Sequence, residues 1–287
     1  MKEIRPIKTI LERRPTMEGA GVRLKRVFGF NEVPDLDPFL LLDDFGSDDP
    51  DDYTAGFPWH PHRGIETVTY MLAGEVEHGD SMGNKGIIRS GDIQWMTAGS
   101  GIIHQEMPRA FKGTSRGFQL WVNLPAKNKM MDPRYRDVTK DKVVEISPGK
   151  GVKIKIIAGD VNGKKGPVQD VVANPEYLDI ELSPEISFER NTPAGHTVFA
   201  YVINGSGTFS DSSDNKVKDG QLVLFGNGSK IKATASSEGM RFLLLSGKPL
   251  NEPVAWYGPI VMNTDEELKT AFDEYEKGTF IKHSHKT

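Results

Sequence analysis

The sequence predicts an all-β fold made of two copies of one template, closed by a short C-terminal helix. Three observations carry this. The 30 glycines and 18 prolines punctuate the 287 residues at short intervals, and the pieces between them are rich in Val, Ile, Thr, Phe and Tyr with frequent alternation. That is the pattern of many short strands folded into sandwiches or barrels. The chain also matches itself: TVTYMLAGEVEHGDSMGNKGIIRSGDIQWM from Thr67 lines up with TVFAYVINGSGTFSDSSDNKVKDGQLVLF from Thr197. Each copy runs strand, glycine turn (Gly74, Gly205), strand, polar loop, second glycine turn (Gly91, Gly220) and strand. Finally, helical periodicity is clear only near the end of the chain, where Leu268, Ala271, Phe272 and Tyr275 fall at i, i+3, i+4 and i+7.

In chain order, strands are expected over 21–27, 39–43, 67–72, 92–97, 118–124, 152–158, 177–182, 198–203, 221–225, 231–234 and 240–245, each an apolar or alternating run between turn residues. A short helical turn is expected over 126–130. The connection from about 128 to 151 carries Pro133, Pro148 and many charges, and the boundary between the halves is placed near residue 135, giving domains 1–134 and 135–287. The helix follows Thr264, which with Glu267 makes a capping box, and Gly278 stops it. The tail IKHSHKT reads as frayed, with His283 and His285 solvated.

Composition excludes several function classes. Lys+Arg 36 against Asp+Glu 40 leaves a net charge of −4, with no basic excess for nonspecific binding to nucleic acid or a membrane surface. There is no cysteine, so disulfides, thiolate catalysis and sulfur-ligated metals are ruled out, and any metal must take N and O ligands. The N-terminus, MKEIRPIKTILERRP, has no apolar leader, and no run approaches the ~18 apolar residues of a membrane span. A soluble, cytoplasmic protein is expected, nuclear being the alternative in a eukaryote, and a monomer.

The chemistry concentrates in FPWHPHRGIETVTY (57–70) and MTAGSGIIHQEMP (96–108). His60 and His62 are two apart, as are His104 and Glu106, and in extended backbone each pair projects to one face. If the two segments are neighbours, three imidazoles and a carboxylate converge. That set suits a first-row divalent metal and leaves positions for substrate or O2. Glu66, four residues beyond His62, is either a fifth ligand or a support for an imidazole, and is read as the support. Arg63 is either a counter-charge or a side chain snorkelling at the rim. A lone strand histidine is more often a hydrogen-bonded structural residue than a ligand, and His78 and His196 are read that way. Trp59, Trp95 and Trp121 are read as core aromatics, and the acidic run DDFGSDDPDD (43–52) as a solvated loop without calcium-binding spacing. In the second copy Asn191 and Pro193 stand opposite His60 and His62, and Ala233 and Ala235 opposite His104 and Glu106, so one metal per chain is expected.

These motifs, with FLLLDDF before them and GPIVMNTDEEL near the C-terminus, resemble the pirin form of the cupin superfamily over nearly the whole chain. The resemblance implies two tandem jelly-roll β-barrels, the N-terminal one holding a single metal through His60, His62, His104 and Glu106 and the C-terminal one degenerate and metal-free. Iron(II) is the metal it implies, with Mn, Ni, Co, Cu and Zn as alternatives. It also implies two activities. One is quercetin 2,3-dioxygenase chemistry, in which a flavonol-like aromatic is opened with O2; for that activity the ligand type and spacing make Glu106 the expected acceptor of the 3-hydroxyl proton. The other is iron-dependent, redox-sensitive binding of a transcription-related or metabolic protein partner.

Overall fold

The computed structural model describes residues 3–33, 35–210 and 215–282; His283 and His285 lie outside the described residues. Strands dominate as the glycine punctuation predicts. Val152–Ala158 and Gln221–Phe225 occupy the expected residues. The runs expected at 231–234 and 240–245 are joined in one 18-residue strand, Lys230–Gly247, with Gly239 inside it at φ +81°. The helix runs Asp265–Glu276, with both hydrogen bonds of the Thr264–Glu267 capping box present; such a cap is worth about 1 kcal/mol. The expected helical turn is the 3-10 turn Ala126–Asn128.

The chain forms two compact units, each discontinuous in sequence. One gathers Arg14–Val33, Phe39–Lys140 and Leu250–Thr287; the other gathers Met1–Arg13, Pro34–Pro38 and Asp141–Pro249. They are called the histidine unit and the apolar unit below. The partition differs from a contiguous 1–134 and 135–287 division for identifiable reasons. Ile7–Glu12 pairs with Gln221–Phe225, which draws the first residues into the apolar unit. Arg134–Val138 pairs with Ile93–Thr97, which keeps the chain in the histidine unit through Lys140. The C-terminal helix packs its apolar face, Leu268, Ala271 and Phe272, against Ile260, Met262 and Phe280 of its own segment and Ile103 of the histidine unit.

Among the described residues, the histidine unit has two large sheets. The four-stranded sheet is ordered Phe57–His62, Ile102–Pro108, Glu75–Asp80, Lys85–Arg89. The seven-stranded sheet is ordered Arg134–Val138, Ile93–Thr97, Ile65–Ala73, Ser115–Asn123, Phe39–Ser47, Val22–Phe28, Arg14–Glu18. Gly64 marks the corner between them. Its φ is +79°, and a Cβ there would stand 1.9 Å from the Val261 carbonyl oxygen, so only glycine fits. In the apolar unit a nine-stranded sheet encloses a core centred on Phe209, which meets Phe242 and Phe225 edge to face at 5.1 and 5.9 Å. Each phenyl ring so buried contributes about 2–3 kcal/mol.

Candidate metal centre

The two ligand-bearing segments are neighbours, as their spacing requires. Phe57–His62 and Ile102–Pro108 run antiparallel, with His104 directly across from His60 and Ile102 across from His62. The register slips between His104 and Glu106, a bulge that re-aims the end of the strand. The ring nitrogens of His60, His62 and His104 all lie within 4.8 Å of one another. Ring centroids are 4.3 Å apart for His60 and His104, 4.9 Å for His60 and His62, and 5.0 Å for His62 and His104.

Hydrogen bonding fixes the tautomers. His60 Nδ1 donates to the Pro58 carbonyl at 2.8 Å and His62 Nδ1 donates to the Pro259 carbonyl at 2.9 Å. Because a carbonyl only accepts, both Nδ1 atoms carry hydrogen and both neutral rings turn bare Nε2 lone pairs inward. Those two Nε2 atoms are 3.1 Å apart. Two lone pairs at that distance repel unless something positive lies between them. His104 is fully buried, and neither of its nitrogens has a hydrogen-bond partner. Burial, then the neighbouring His60, holds the His62 imidazole down to about 3. Burial, then the neighbouring His62, His60 and His78, holds His104 well below the usual histidine range. The His62 and His104 rings therefore stay unprotonated around neutral pH, the state in which imidazole ligates. Orphaned nitrogens, converging lone pairs and neutral rings together fit a metal ion.

Glu106 is not part of the three-histidine cluster. Its carboxylate accepts from Thr69 Oγ1 at 2.9 Å across the gap between the sheets, and the same hydroxyl is 2.7 Å from Gln119 Oε1. One hydroxyl hydrogen cannot serve both, so the Gln119 amide is better read flipped, donating to Thr69, which donates to Glu106. Thr69 and Gln119 went unremarked in the sequence; the signal available was their place on alternating strand faces opposite the histidines.

Beyond the cluster lies a cavity of about 790 Å³, with His60, His62 and Glu106 in its wall. Its lining is mainly apolar and includes Leu41, Phe45, Tyr53, Val76, Trp121 and Trp256. Trp121 meets His62 edge to face at 5.1 Å. It is therefore a wall of the site as well as a core residue.

Other sequence readings are corrected. Glu66 does not support an imidazole. Gly64 turns the chain into the other sheet, where Glu66 is buried and accepts from Thr97 Oγ1 at 2.7 Å. The second partner of His62 is instead the Pro259 carbonyl, delivered by the C-terminal segment. Arg63 is neither at the rim nor free; it is 2 % exposed, donates to the Ser100 and Phe280 carbonyls at 2.7 and 2.9 Å, and pairs with Glu274 at 2.8 Å. Lys129 is likewise buried, with its ammonium on Gly64 O, Asn123 Oδ1 and Val261 O at 3.0, 2.7 and 3.0 Å; burial pulls it down to about 8. Both cations clamp the C-terminal segment beside His62. Trp59 is exposed, whereas Trp95 is in the core as expected. Asp43 and Asp44 are buried strand residues paired with Arg26 and Arg116, and only the later part of the acidic run forms a surface turn.

His78 is more than an isolated structural residue. It lies two residues from Asp80, with Nε2 3.3 Å from Asp80 Oδ2, both side chains wholly buried, and its ring centroid is 5.5 Å from that of His104. This i, i+2 pair was readable in EVEHGD. His196, by contrast, meets Ser246 Oγ at 3.1 Å, in keeping with the structural reading.

Paired cupin barrels, one with a histidine cluster under an apolar cavity, define a bicupin with one metal-capable centre among the described residues. Comparison with known proteins narrows this: residues 21–122 match the Pirin family model and residues 177–281 that of the Pirin C-terminal cupin domain. The chain belongs to the pirin family. It is 44% identical over 268 residues, covering 92% of this chain and 94% of the other, to a Pseudomonas aeruginosa protein named "Putative quercetin 2,3-dioxygenase". It is 43% identical over 279 residues to a pirin-like protein of Caulobacter vibrioides, covering 96% and 99%. The crystal structure of a quercetin 2,3-dioxygenase from Acinetobacter baumannii superposes with a TM-score of 0.89 at 32% identity, covering 97% of this chain and 99% of that one. No helix among the described residues is long and apolar enough to cross a membrane.

Proposed function

We propose that the chain is a metal-dependent oxygenase that opens a flavonol with O2, the ion being held by His60, His62, His104 and Glu106. The observation that carries this reading is the pair of inward Nε2 lone pairs 3.1 Å apart beside an unpartnered buried His104, at one wall of an apolar cavity. Such a cavity is of the size that encloses a flat polycyclic ligand. The identity between this chain and relatives named for quercetin 2,3-dioxygenase activity supports the same substrate class. Imidazole and carboxylate donors without thiolate suit Fe(II), with Mn, Ni, Co, Cu and Zn able to compete.

When bound, the ion supplies Lewis acidity toward a phenolic oxygen and the open-shell chemistry that O2 requires. The side chains supply the rest. The Glu106 carboxylate accepts the proton of the flavonol 3-hydroxyl, and Thr69 holds that carboxylate toward the cavity by its hydrogen bond. Leu41, Phe45, Trp121 and Trp256 exclude water and press the ring system flat. The Pro259 carbonyl keeps the His62 ring oriented.

The test is an aerobic assay of metal-loaded protein with quercetin, following loss of flavonol absorbance. Turnover by wild type that is absent in His62→Ala is the expected result; no turnover with any of several first-row metals would overturn the reading. Glu106→Ala that retains full turnover at unchanged metal content would remove the base assignment alone.

A further inference from the structure

The cavity has a second polar region that the chemistry above does not use. One register row crosses four strands of the seven-stranded sheet: Arg26 faces Asp43, Asp43 faces Gln119, and Gln119 faces Thr69. All four residues line the cavity. The flanking rows are apolar there, with Leu24 against Phe45 on one side and Leu41 against Trp121 on the other. Neighbouring strands are about 4.8 Å apart, so Arg26 stands about 14 Å along the sheet from Thr69, the residue that holds Glu106.

Arg26 is held in place and is not fully used. Its Nε and Nη2 donate to the two Asp43 oxygens at 2.9 Å each, and Nη2 is also 2.9 Å from Glu18 Oε1. Its Nη1 has no protein partner among the described residues, which leaves two N–H donors unspent beside the cavity. The bidentate pair fixes their direction. Two carboxylates face one guanidinium, so the local charge does not favour an anion. A neutral hydroxyl fits better, since it accepts from Nη1 and donates to a carboxylate lone pair.

We propose that Arg26, braced by Asp43 and Glu18, is a distal subsite for the hydroxyl groups on the pendant ring of a flat aromatic substrate whose 3-hydroxyl end lies at Glu106. The subsite rests on the flavonol reading and adds to it a preference for polyhydroxylated pendant rings.

The experiment is anaerobic equilibrium binding to the metal-loaded full chain, read by quenching of tryptophan fluorescence. The probes are quercetin and galangin, a flavonol whose pendant ring bears no hydroxyl. Wild type is expected to bind quercetin about tenfold more tightly than galangin, the effect of one or two net hydrogen bonds. Arg26→Lys keeps a cation against Asp43 but removes the fork; it is expected to abolish that preference by weakening quercetin while galangin affinity stays unchanged. Equal affinities in wild type, a ratio that needs no variant, would overturn the subsite and leave the flavonol reading standing. Equal weakening of both ligands in Arg26→Lys would mark Arg26 as merely structural and overturn it too. If neither flavonol binds wild type, the flavonol reading and the subsite fall together.

Discussion

The two units apply one template to opposite ends. Both keep the glycine turns: Gly74 and Gly205 have φ of +94° and +71°, and a Cβ on Gly205 would stand 2.2 Å from the Gly239 carbonyl oxygen. Their interiors differ. Where the histidine unit has His104 and Glu106, the apolar unit has Ala233 and Ala235, both buried in its core. Where the first has His78, alignment on the turn glycines puts Phe209, the ring around which that core packs. Where the first has Arg63, locking the C-terminal segment behind His62, the second has the exposed Ala194. The glycines and the alternating apolar faces therefore suffice for the fold. The site is an addition to it, and it brings buried polar groups that an apolar filling avoids.

Removing the filling from the apolar unit should have the largest effect on stability. Phe209→Ala is expected to cost about 3–5 kcal/mol in chemical denaturation, with metal content per folded chain unchanged; a loss of metal in this variant would break the separation of fold from site. In the histidine unit, Arg63→Met strands the Ser100 and Phe280 carbonyls and should cost about 3 kcal/mol. By loosening Pro259 behind His62 it should also weaken metal binding about tenfold, measured by competition with a chelator.

Acid should separate the units in a smaller but directional way. His62 has its proton affinity moved from the usual 6.5 to about 3 by burial. Between those values the unfolded chain binds a proton that the folded chain refuses, so stability is lost as pH falls through the window and is complete above it. For His62 alone the loss from pH 6.5 to 5 is about 2 kcal/mol, and His104 acts in the same sense. Asp43, pushed up to about 6 from 3.8 by burial, works in the opposite direction between those two values and makes the fall shallower there. The residues packed around Phe209 are hydrophobic, and His196 of the same unit, whose proton affinity burial also lowers, is only half-buried, so metal-free protein should lose hydrogen-exchange protection in the histidine unit first on acidification. The smallest effect is expected from importing the apolar unit's residue. His78→Phe should change stability by about 1 kcal/mol, because Asp80 retains Met82 N, Asn84 N and Asn84 Nδ2 as donors.

What the sequence revealed and what it withheld divide along the same line. Strand positions, the repeat, the capped helix and the two histidine pairs are local patterns of period two or 3.6, and local backbone geometry is enough to read them. The environment of the site is not local. Glu66 keeps the alternation of its strand, yet one glycine corner sends it to another sheet. Arg63 and Lys129 look like surface cations until residues 250–282 fold over them, and Pro259 acts through a backbone carbonyl that no side-chain pattern advertises. Asp43 and Asp44 sit in an acidic run and look solvated, but each finds an arginine on a neighbouring strand. The Thr69–Glu106 bond, between residues 37 apart in sequence, links the two sheets.

The central claim is that the metal belongs to the histidine unit and to it alone. Metal content of the purified, reloaded chain, measured by elemental analysis against protein concentration, tests it directly. The account predicts one ion per wild-type chain, none when His62→Ala and His104→Ala are combined, and one again in Phe209→Ala. Two ions per chain, or an ion retained by the double histidine variant, would contradict it.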